Sequence, residues 1–218
     1  MKLYDICIPQ NNEKEIVKLA KDLGYSGAIF LYPLNKLKEV KAKDFEVFTS
    51  TLIEGKRISQ IRKKDLKKVE FVVAKGDGEE STIKAILSNR NVDFIIDISS
   101  VKGREHTHYR KSTLNQVLAK KALVSKIGYI INFNRLLNEE KKVKLMGRIM
   151  QNIKIFQKFK VPILISSFAT NKYELRNYDN LVSLARFMGV KKVASLEEYI
   201  SKKKDPNFIT EGVKIIKS

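Results

Sequence analysis

The chain has 218 residues, a length that suits one large domain, since α/β barrels often exceed about 200 residues as a single unit. Its one cysteine, Cys7, excludes an internal disulfide, and the absence of a long apolar stretch at the start favours a cytosolic protein without a membrane partner. Lys and Arg number 43 against 24 Asp and Glu, and the resulting net charge of +19 favours nucleic acid as the partner.

Seven short runs of apolar and β-branched residues predict strands. They are Leu3–Ile8, Ala28–Tyr32, Phe45–Ile53, Val69–Ala74, Phe94–Ile98, Tyr129–Phe133 and Ile163–Ser166. A shorter run near Val193 predicts an eighth strand. The mostly charged segment Lys56–Lys68 predicts a short irregular helix, and Ser201–Lys204 predicts the end of a helix that leads into an apolar stretch, Val213–Ile216.

Segments with helical spacing lie between several of the predicted strands. Their apolar positions are Ile16, Leu19, Ala20 and Leu23, then Leu114, Val117 and Leu118, then Leu181, Leu184, Ala185 and Met188. Asn12 and Asp179 are predicted N-caps, and Gly24 and Gly189 are predicted C-cap glycines. The alternation favours a TIM-like (β/α) barrel, and since no Gly-, Ser- or Pro-rich linker divides the chain, we expect a single domain over residues 1–218.

The sequence offers little for metal or nucleophilic chemistry. His106 and His108 lie in a polar segment predicted to be a loop, and no third histidine or second cysteine completes a site. Asp5 and Asp97 together suit Mg²⁺, but the interpretation we favour is two hydrogen-bonded structural carboxylates. Cys7 has no histidine partner that the sequence reveals. We therefore predict no catalytic residue and no metal site on this chain.

Basic residues cluster at several places along the chain. The clusters are Arg62–Lys64 with Lys67 and Lys68, Arg104 with Arg110 and Lys111, Lys120 with Lys121, Lys141–Lys144, and Lys202–Lys204. The segment Arg104–Lys121 differs from the others because Arg, His, Tyr and Lys occur together in a predicted loop that leads into a helix. Its cations suit phosphate binding and Tyr109 suits stacking on an unpaired base. An ordinary exposed loop is the alternative.

Two stretches of the sequence resemble a known family. One is Tyr109–Lys120, which reads YRKSTLNQVLAK, and the other is Ile165–Ser167 continued by Tyr173–Arg176 and Leu181–Gly189. Tyr4-Asp5, Leu23–Tyr25, Gly128–Leu137 and Ser195–Tyr199 fit in the same order. On these residues the chain resembles the archaeal ribonuclease P protein component 3 family, the relatives of a eukaryotic nuclear ribonuclease P subunit, over essentially its whole length.

The resemblance implies a barrel related to the PHP-type metal-dependent phosphoesterases but without a working metal site. Where a PHP enzyme carries Asp-x-His-x-His, this chain has Asp5-Ile6-Cys7-Ile8-Pro9. The implied function is that of an RNA-binding protein subunit of ribonuclease P, the endoribonuclease that removes the 5′ leader from pre-tRNA. The resemblance implies that the RNA subunit and its Mg²⁺ carry out cleavage, and that this chain itself holds no cofactor.

The implied partners are the ribonuclease P RNA, pre-tRNA through the holoenzyme, the small RNA-binding subunit called component 2, and the other ribonuclease P proteins. Arg110, Lys120 and Arg176 lie within the matching motifs, and the basic pattern alone adds Arg90, Arg104 and Lys111. These six are the predicted RNA-binding residues. Two alternatives stay open: a PHP-like metal-dependent phosphoesterase with a degenerate site, and an assembly scaffold that contacts proteins while its neighbours hold the RNA.

Overall fold

The computed structural model describes residues 2–99, 112–204, 208–210 and 213–214. Seven parallel strands form one sheet in chain order, each paired with the next along the sequence. They are β1 (Tyr4–Cys7), β2 (Gly27–Tyr32), β3 (Glu46–Glu54), β4 (Val72–Lys75), β5 (Phe94–Ile96), β6 (Gly128–Asn132) and β7 (Ile163–Ser166). Two further strands, β8 (Phe208–Thr210) and β9 (Val213–Lys214), form a separate antiparallel pair.

The first and last strands of the parallel sheet meet just beyond the end of β7. Cys7 forms a parallel bridge with Ala169, and the Ile8 amide donates to the Ala169 carbonyl at 2.8 Å. The Phe168 amide donates to the Ile6 carbonyl, also at 2.8 Å. These bonds close the sheet, and the predicted TIM-like α/β barrel is confirmed.

Helices surround the barrel. They are α1 (Glu13–Asp22), α2 (Glu80–Ser88), α3 (Gln116–Val124), α4 (Phe133–Asn138), α5 (Lys142–Lys158), α6 (Tyr178–Phe187) and α7 (Leu196–Lys204). The segment between β3 and β4 forms two short 3₁₀ helices, Gly55–Gln60 and Lys63–Leu66, as the predicted irregular helix over 56–68 anticipates. Within the described residues, none of the helices is both long enough and apolar enough to cross a bilayer.

One cluster of buried apolar side chains fills the barrel interior. Its members on the strands are Tyr4, Ile6, Ile29, Leu31, Val73, Phe94, Ile96, Ile130 and Leu164, and Phe71, just before β4, joins them. Leu196 and Ile200 of α7 join the same cluster, and the Tyr199 ring lies 4.7 Å from the Phe94 ring. Since a Cβ at Gly128 would lie only 3.0 Å from the Tyr199 hydroxyl, glycine at the start of β6 lets α7 close the N-terminal end of the barrel.

Alternate strand residues face the surrounding helices, as the period of two along a strand requires. Cys7, Ala28 and Phe30 pack against α1, and Ile95, Tyr129 and Ile131 belong to a second outer cluster with α2, α3, α5 and α6. Gly24 and Gly189 end α1 and α6 at φ values of 83° and 101°, which confirms both predicted C-cap glycines.

Three local predictions are corrected. Val193 forms no strand; its neighbour Ala194 donates to the Ile163 carbonyl at 2.8 Å and the chain then enters α7. The N-cap of α6 is Asn177, whose side chain accepts from the Asp179 amide at 2.9 Å, so Asp179 lies in the first turn. Val117 is 74% exposed, because α3 turns Leu118, Ala119 and Ala122 towards the core instead.

Candidate nucleic-acid interface

Half of the predicted RNA-binding residues lie outside the described part of the chain. Arg104, Arg110 and Lys111 belong to residues 100–111, as do His106 and His108. We refer to residues 100–111 as the basic segment. Its two flanking residues are described: Ser99 is buried, and Ser112 is partly exposed. The two described flanks of the basic segment therefore lie just after β5 and just before α3.

Helix α5 binds both flanks of the basic segment. The Asn152 amide nitrogen donates to Ser99 Oγ at 2.8 Å, and its amide oxygen accepts from Ser112 Oγ at 2.5 Å. One turn earlier, Arg148 donates to the Ser99 carbonyl at 3.3 Å. Both α5 side chains are buried, Asn152 completely. A single asparagine therefore fixes the distance between the two ends of the basic segment.

The chain that follows the basic segment is also fixed. Thr113 Oγ1 donates to the Gly78 carbonyl, which ties this stretch to the turn before α2. Ser112 Oγ accepts from the Leu114 amide at 3.2 Å, and Asn115 caps α3 by accepting from the Leu118 amide at 2.9 Å. These bonds set where the exposed face of α3 begins.

Lys120 lies on this exposed face of α3. Its side chain is exposed, and the neighbouring Lys121 donates to Ser88 Oγ of α2. Val117 and Val124, which lie two helical turns apart on the same face, are 74% and 78% exposed. The face is therefore both cationic and apolar.

Arg176 lies in the chain between β7 and α6, and its carbonyl accepts from the Tyr25 hydroxyl at 2.9 Å. Its guanidinium donates to the Tyr173 carbonyl at 2.7 Å and to the Leu175 carbonyl at 2.6 Å. The same group lies over the Phe133 ring at 5.4 Å from the centroid. Arg176 therefore packs within the protein while keeping part of its surface accessible.

Arg90 lies at the N-terminal end of the barrel, in the loop that joins α2 to β5, and its side chain is exposed. It lines an open cavity together with Lys64 and Lys67 of the segment before β4. The three predicted RNA-binding residues that the structure describes therefore occupy separate places: Lys120 on α3, Arg90 in the loop between α2 and β5, and Arg176 just before α6.

Asp5 faces away from the barrel interior and joins β1 to β7. Its carboxylate accepts from the Ile6 amide at 3.0 Å, from the Ser167 amide at 2.9 Å, and from the hydroxyls of Ser166 and Ser167. Burial raises the pKa of Asp5, and these donors oppose the rise. Cys7, also buried, has its pKa raised by burial and by the charge of Asp5, which removes it from nucleophilic chemistry.

Asp97 lies after β5 in a different environment. Asn132 donates to both carboxylate oxygens of Asp97 at 3.4 Å, and the Asp97 backbone adopts a φ of 56°. Burial raises the pKa of Asp97, with Arg135 and Lys75 acting in the opposite direction. In the part of the chain that the structure describes, Asp5 and Asp97 share no hydrogen-bond partner, and no group of three or more His, Cys, Asp or Glu is arranged to hold a metal ion.

Arg148 and Asn152 were not identified as functional residues from the sequence, although their positions in the helix carry a recognisable pattern. The two residues lie four apart within the helical sequence of α5, on the stripe that also carries Leu145, Ile149 and Ile153. Polar residues on the apolar stripe of a helix are unusual and are hydrogen-bonded when buried. The pattern can therefore indicate an anchoring role, whereas the groups that they anchor come from distant parts of the chain.

The comparisons with known proteins agree along the whole chain. The family profile described as RNase P subunit p30 matches residues 2–202. The chain is 26% identical to ribonuclease P protein component 3 of Methanosarcina barkeri, over 99% of this chain and 96% of that protein. It is 27% identical to the protein of the same name from Methanocaldococcus jannaschii, over 97% of each.

A chain in the cryo-EM structure of archaeal ribonuclease P with mature tRNA has the same fold. The two superpose with a TM-score of 0.75 at 23% identity, over 99% of this chain and 98% of the other. The shared barrel fold agrees with the sequence match, and the family assignment rests on that sequence match. By its sequence over residues 2–202, this chain belongs to the RNase P subunit p30 family.

Proposed function

We propose that this chain is an RNA-binding protein subunit of ribonuclease P, the ribonucleoprotein that removes the 5′ leader from pre-tRNA. The observation that carries the proposal is membership of the RNase P subunit p30 family over residues 2–202. The net charge of +19 supports it, because such a surface attracts a polyanion. The RNA subunit and its Mg²⁺ carry out the cleavage in this account, and this chain contributes no catalytic residue and no cofactor.

The chemistry assigned to the chain is electrostatic. A folded catalytic RNA brings phosphates close together and must also receive a polyanionic substrate. Lys and Arg side chains that replace condensed counterions at these phosphates favour the compact complex, and the release of those ions gives a strong dependence on salt. We assign this role to Arg90, Arg104, Arg110, Lys111, Lys120 and Arg176.

Protein contacts form the second part of the proposal. We infer that the chain pairs with the small RNA-binding subunit, component 2, and lies beside the other ribonuclease P proteins. An exposed apolar face at Val117 and Val124 supports a protein contact, since large exposed apolar groups favour association. Gel filtration and calorimetry of the two purified proteins should show a complex at micromolar concentration. Absence of association there would contradict this part.

Reconstitution tests the function. Ribonuclease P RNA and the other subunits are combined with and without this chain, and release of the 5′ leader from pre-tRNA is measured. We expect the chain to raise the rate and to lower the Mg²⁺ concentration that is needed, and omission of the RNA subunit to abolish cleavage. Phosphoesterase turnover by the chain alone, abolished by Asp5→Asn or Asp97→Asn, would support the metal-dependent hydrolase instead.

A further inference from the structure

A groove of about 620 Å³ opens at the N-terminal end of the barrel. One wall is the 3₁₀ helix Lys63–Leu66 with the residues that follow it, and the other is the loop between α2 and β5. Both walls come from chain that leads directly into neighbouring strands, β4 and β5. The groove therefore lies at the N-terminal ends of β4 and β5.

Three cations line this groove. Lys64 and Lys67 lie on one wall and Arg90 on the other, and all three side chains are exposed. None forms a salt bridge with a carboxylate among the described residues. The one carboxylate in the described lining, Asp93, accepts a hydrogen bond from the Val72 amide at 2.8 Å. With three cations and one carboxylate in its described lining, the groove carries a net positive charge.

The floor of the groove is apolar. Leu66 and Val69 keep part of their surface exposed, and Val72 lies buried beneath them. Asn91 stands at the edge, and its side-chain amide makes no hydrogen bond within the described residues. An apolar floor beside an unpaired amide suits a planar heterocycle, which has an apolar face and hydrogen-bonding edges.

We propose that this groove binds a single-stranded segment of the ribonuclease P RNA, with a phosphate held by Lys64, Lys67 and Arg90 and an unstacked base lying on Leu66 and Val69. The proposal rests on the proposed function for the identity of the RNA. Asn91 then hydrogen-bonds an edge of the base, and the planar Arg90 guanidinium can stack on its other face.

The combination of charge and apolar floor selects this ligand over two others. A duplex presents phosphates and 2′-hydroxyls and keeps its bases stacked inside, so it would use the cations and leave the floor uncovered. An acidic peptide would bind through carboxylates and would show no preference for unpaired nucleotides. The duplex is a distinguishable outcome of the experiment below, and an acidic peptide as the ligand would leave the RNA affinity of the groove variant no lower than that of the control variant.

The first measurement is the affinity of the full chain for a fluorescent single-stranded 12-nucleotide RNA and for a 12-base-pair RNA duplex over a range of salt concentrations. The variant Lys64→Ala/Lys67→Ala/Arg90→Ala is compared with a charge-matched control, Lys14→Ala/Lys18→Ala/Lys36→Ala, whose lysines are exposed away from the groove. We expect at least about a 10-fold loss of single-strand affinity for the groove variant only. Its slope of log affinity against log salt should fall by about 0.7 for each lost phosphate contact.

The second measurement maps the RNA that lies in the groove. Cys7 is fully buried, so a cleavage reagent reacts only with a cysteine introduced by Asn91→Cys, or by Asn35→Cys at the other end of the barrel as the control. The labelled protein is bound to ribonuclease P RNA and hydroxyl-radical cleavage is mapped. We expect cleavage from position 91 at unpaired nucleotides, and a different pattern from position 35.

Several results would overturn the proposal. Equal losses for the groove variant and the control variant would remove the groove from RNA binding while leaving the proposed function intact. A loss confined to the duplex, or cleavage from position 91 only within helices, would exclude a single-stranded ligand. If the wild-type chain fails to bind ribonuclease P RNA and also fails in reconstitution, the proposed function itself is wrong.

Discussion

Asn152 joins Ser99 to Ser112 through the two atoms of its amide, donating to the first at 2.8 Å and accepting from the second at 2.5 Å. The two serines flank the basic segment, which carries three of the predicted RNA-binding residues. A buried amide on α5 thus holds the two described flanks of a cationic stretch. Because both hydrogen bonds come from one side chain, its removal weakens the anchoring of both flanks together.

Replacing Asn152 tests this relationship. Asn152→Ala removes one hydrogen bond from the buried hydroxyl of Ser99 and one from the hydroxyl of Ser112, so we expect a loss of about 1–3 kcal/mol in the free energy of unfolding. We also expect weaker binding to ribonuclease P RNA under conditions where the variant is fully folded. Chemical denaturation and a binding titration measure the two effects.

Gln157 provides the matched control on the same helix. Its side chain also makes two hydrogen bonds, donating to the Gly189 carbonyl at 3.0 Å and accepting from the Lys191 amide at 2.7 Å, but it lies away from the basic segment. Gln157→Ala should retain wild-type RNA affinity. Equal RNA affinities for the two alanine variants would show that Asn152 has no role in presenting the segment.

Arg176 should contribute to stability as well as to RNA binding. Arg176→Ala removes two hydrogen bonds to carbonyls and the contact with the Phe133 ring, and we expect a loss of about 1–2 kcal/mol in the free energy of unfolding. Arg186→Ala, on the exposed side of α6, should change it by less than about 0.5 kcal/mol. Thermal or chemical denaturation that finds the two variants alike would contradict this packing role.

The carboxylate of Asp5 should be structural. Asp5→Asn places an amide nitrogen among donors that face a carboxylate, so we expect a loss of about 1–3 kcal/mol in the free energy of unfolding. Ser167→Ala, which removes one donor, should cost less. A variant with unchanged stability and lost activity in the absence of the RNA subunit would instead assign Asp5 to catalysis.

The pH dependence of stability should reveal Asp97. Because its pKa is raised in the folded protein, the stability that its protonated form contributes is fully present below the pKa of the unfolded chain and is lost as pH rises through the folded pKa. The advantage of Asp97→Asn over wild type should therefore grow as pH rises from about 4 to 7. Asparagine also tolerates the positive φ at this position. An advantage that shrinks over this range would contradict the raised pKa.

The sequence predicted the barrel because its strands and helices obey local rules. Runs such as Ile163–Ser166 are short and apolar, and Gly24 and Gly189 lie where left-handed residues end helices. An eighth strand at Val193 was predicted because the run resembles a strand locally, whereas closure depends on Cys7 meeting Ala169, which are 162 residues apart. Pairing over such a separation leaves no local pattern.

The candidate site was predictable only in part, for the same reason. Clusters of Lys and Arg are visible in the sequence, and Lys120 and Arg90 are indeed exposed. Arg176 gave the same signal in the sequence, but its guanidinium lies over the Phe133 ring. This contact joins the chain after β7 to the chain after β6, which the sequence does not reveal. The outward orientation of Asp5 was equally hidden, since it depends on which strand residues face the barrel interior. The register of a strand fixes this once the barrel closes.

The most direct test of the account is a salt titration of affinity for ribonuclease P RNA with Arg110→Ala. An arginine that binds a phosphate through two hydrogen bonds should contribute roughly 1.5–3 kcal/mol to the free energy of RNA binding. Its loss should also reduce the slope of log affinity against log salt by about 0.7–0.9. Arg110→Lys should restore charge but only part of the affinity. The control is Lys14→Ala, an exposed lysine on α1. If Arg110→Ala and Lys14→Ala give the same slope, the same affinity and the same rate of pre-tRNA cleavage in the reconstituted enzyme, RNA binding through the basic segment is contradicted.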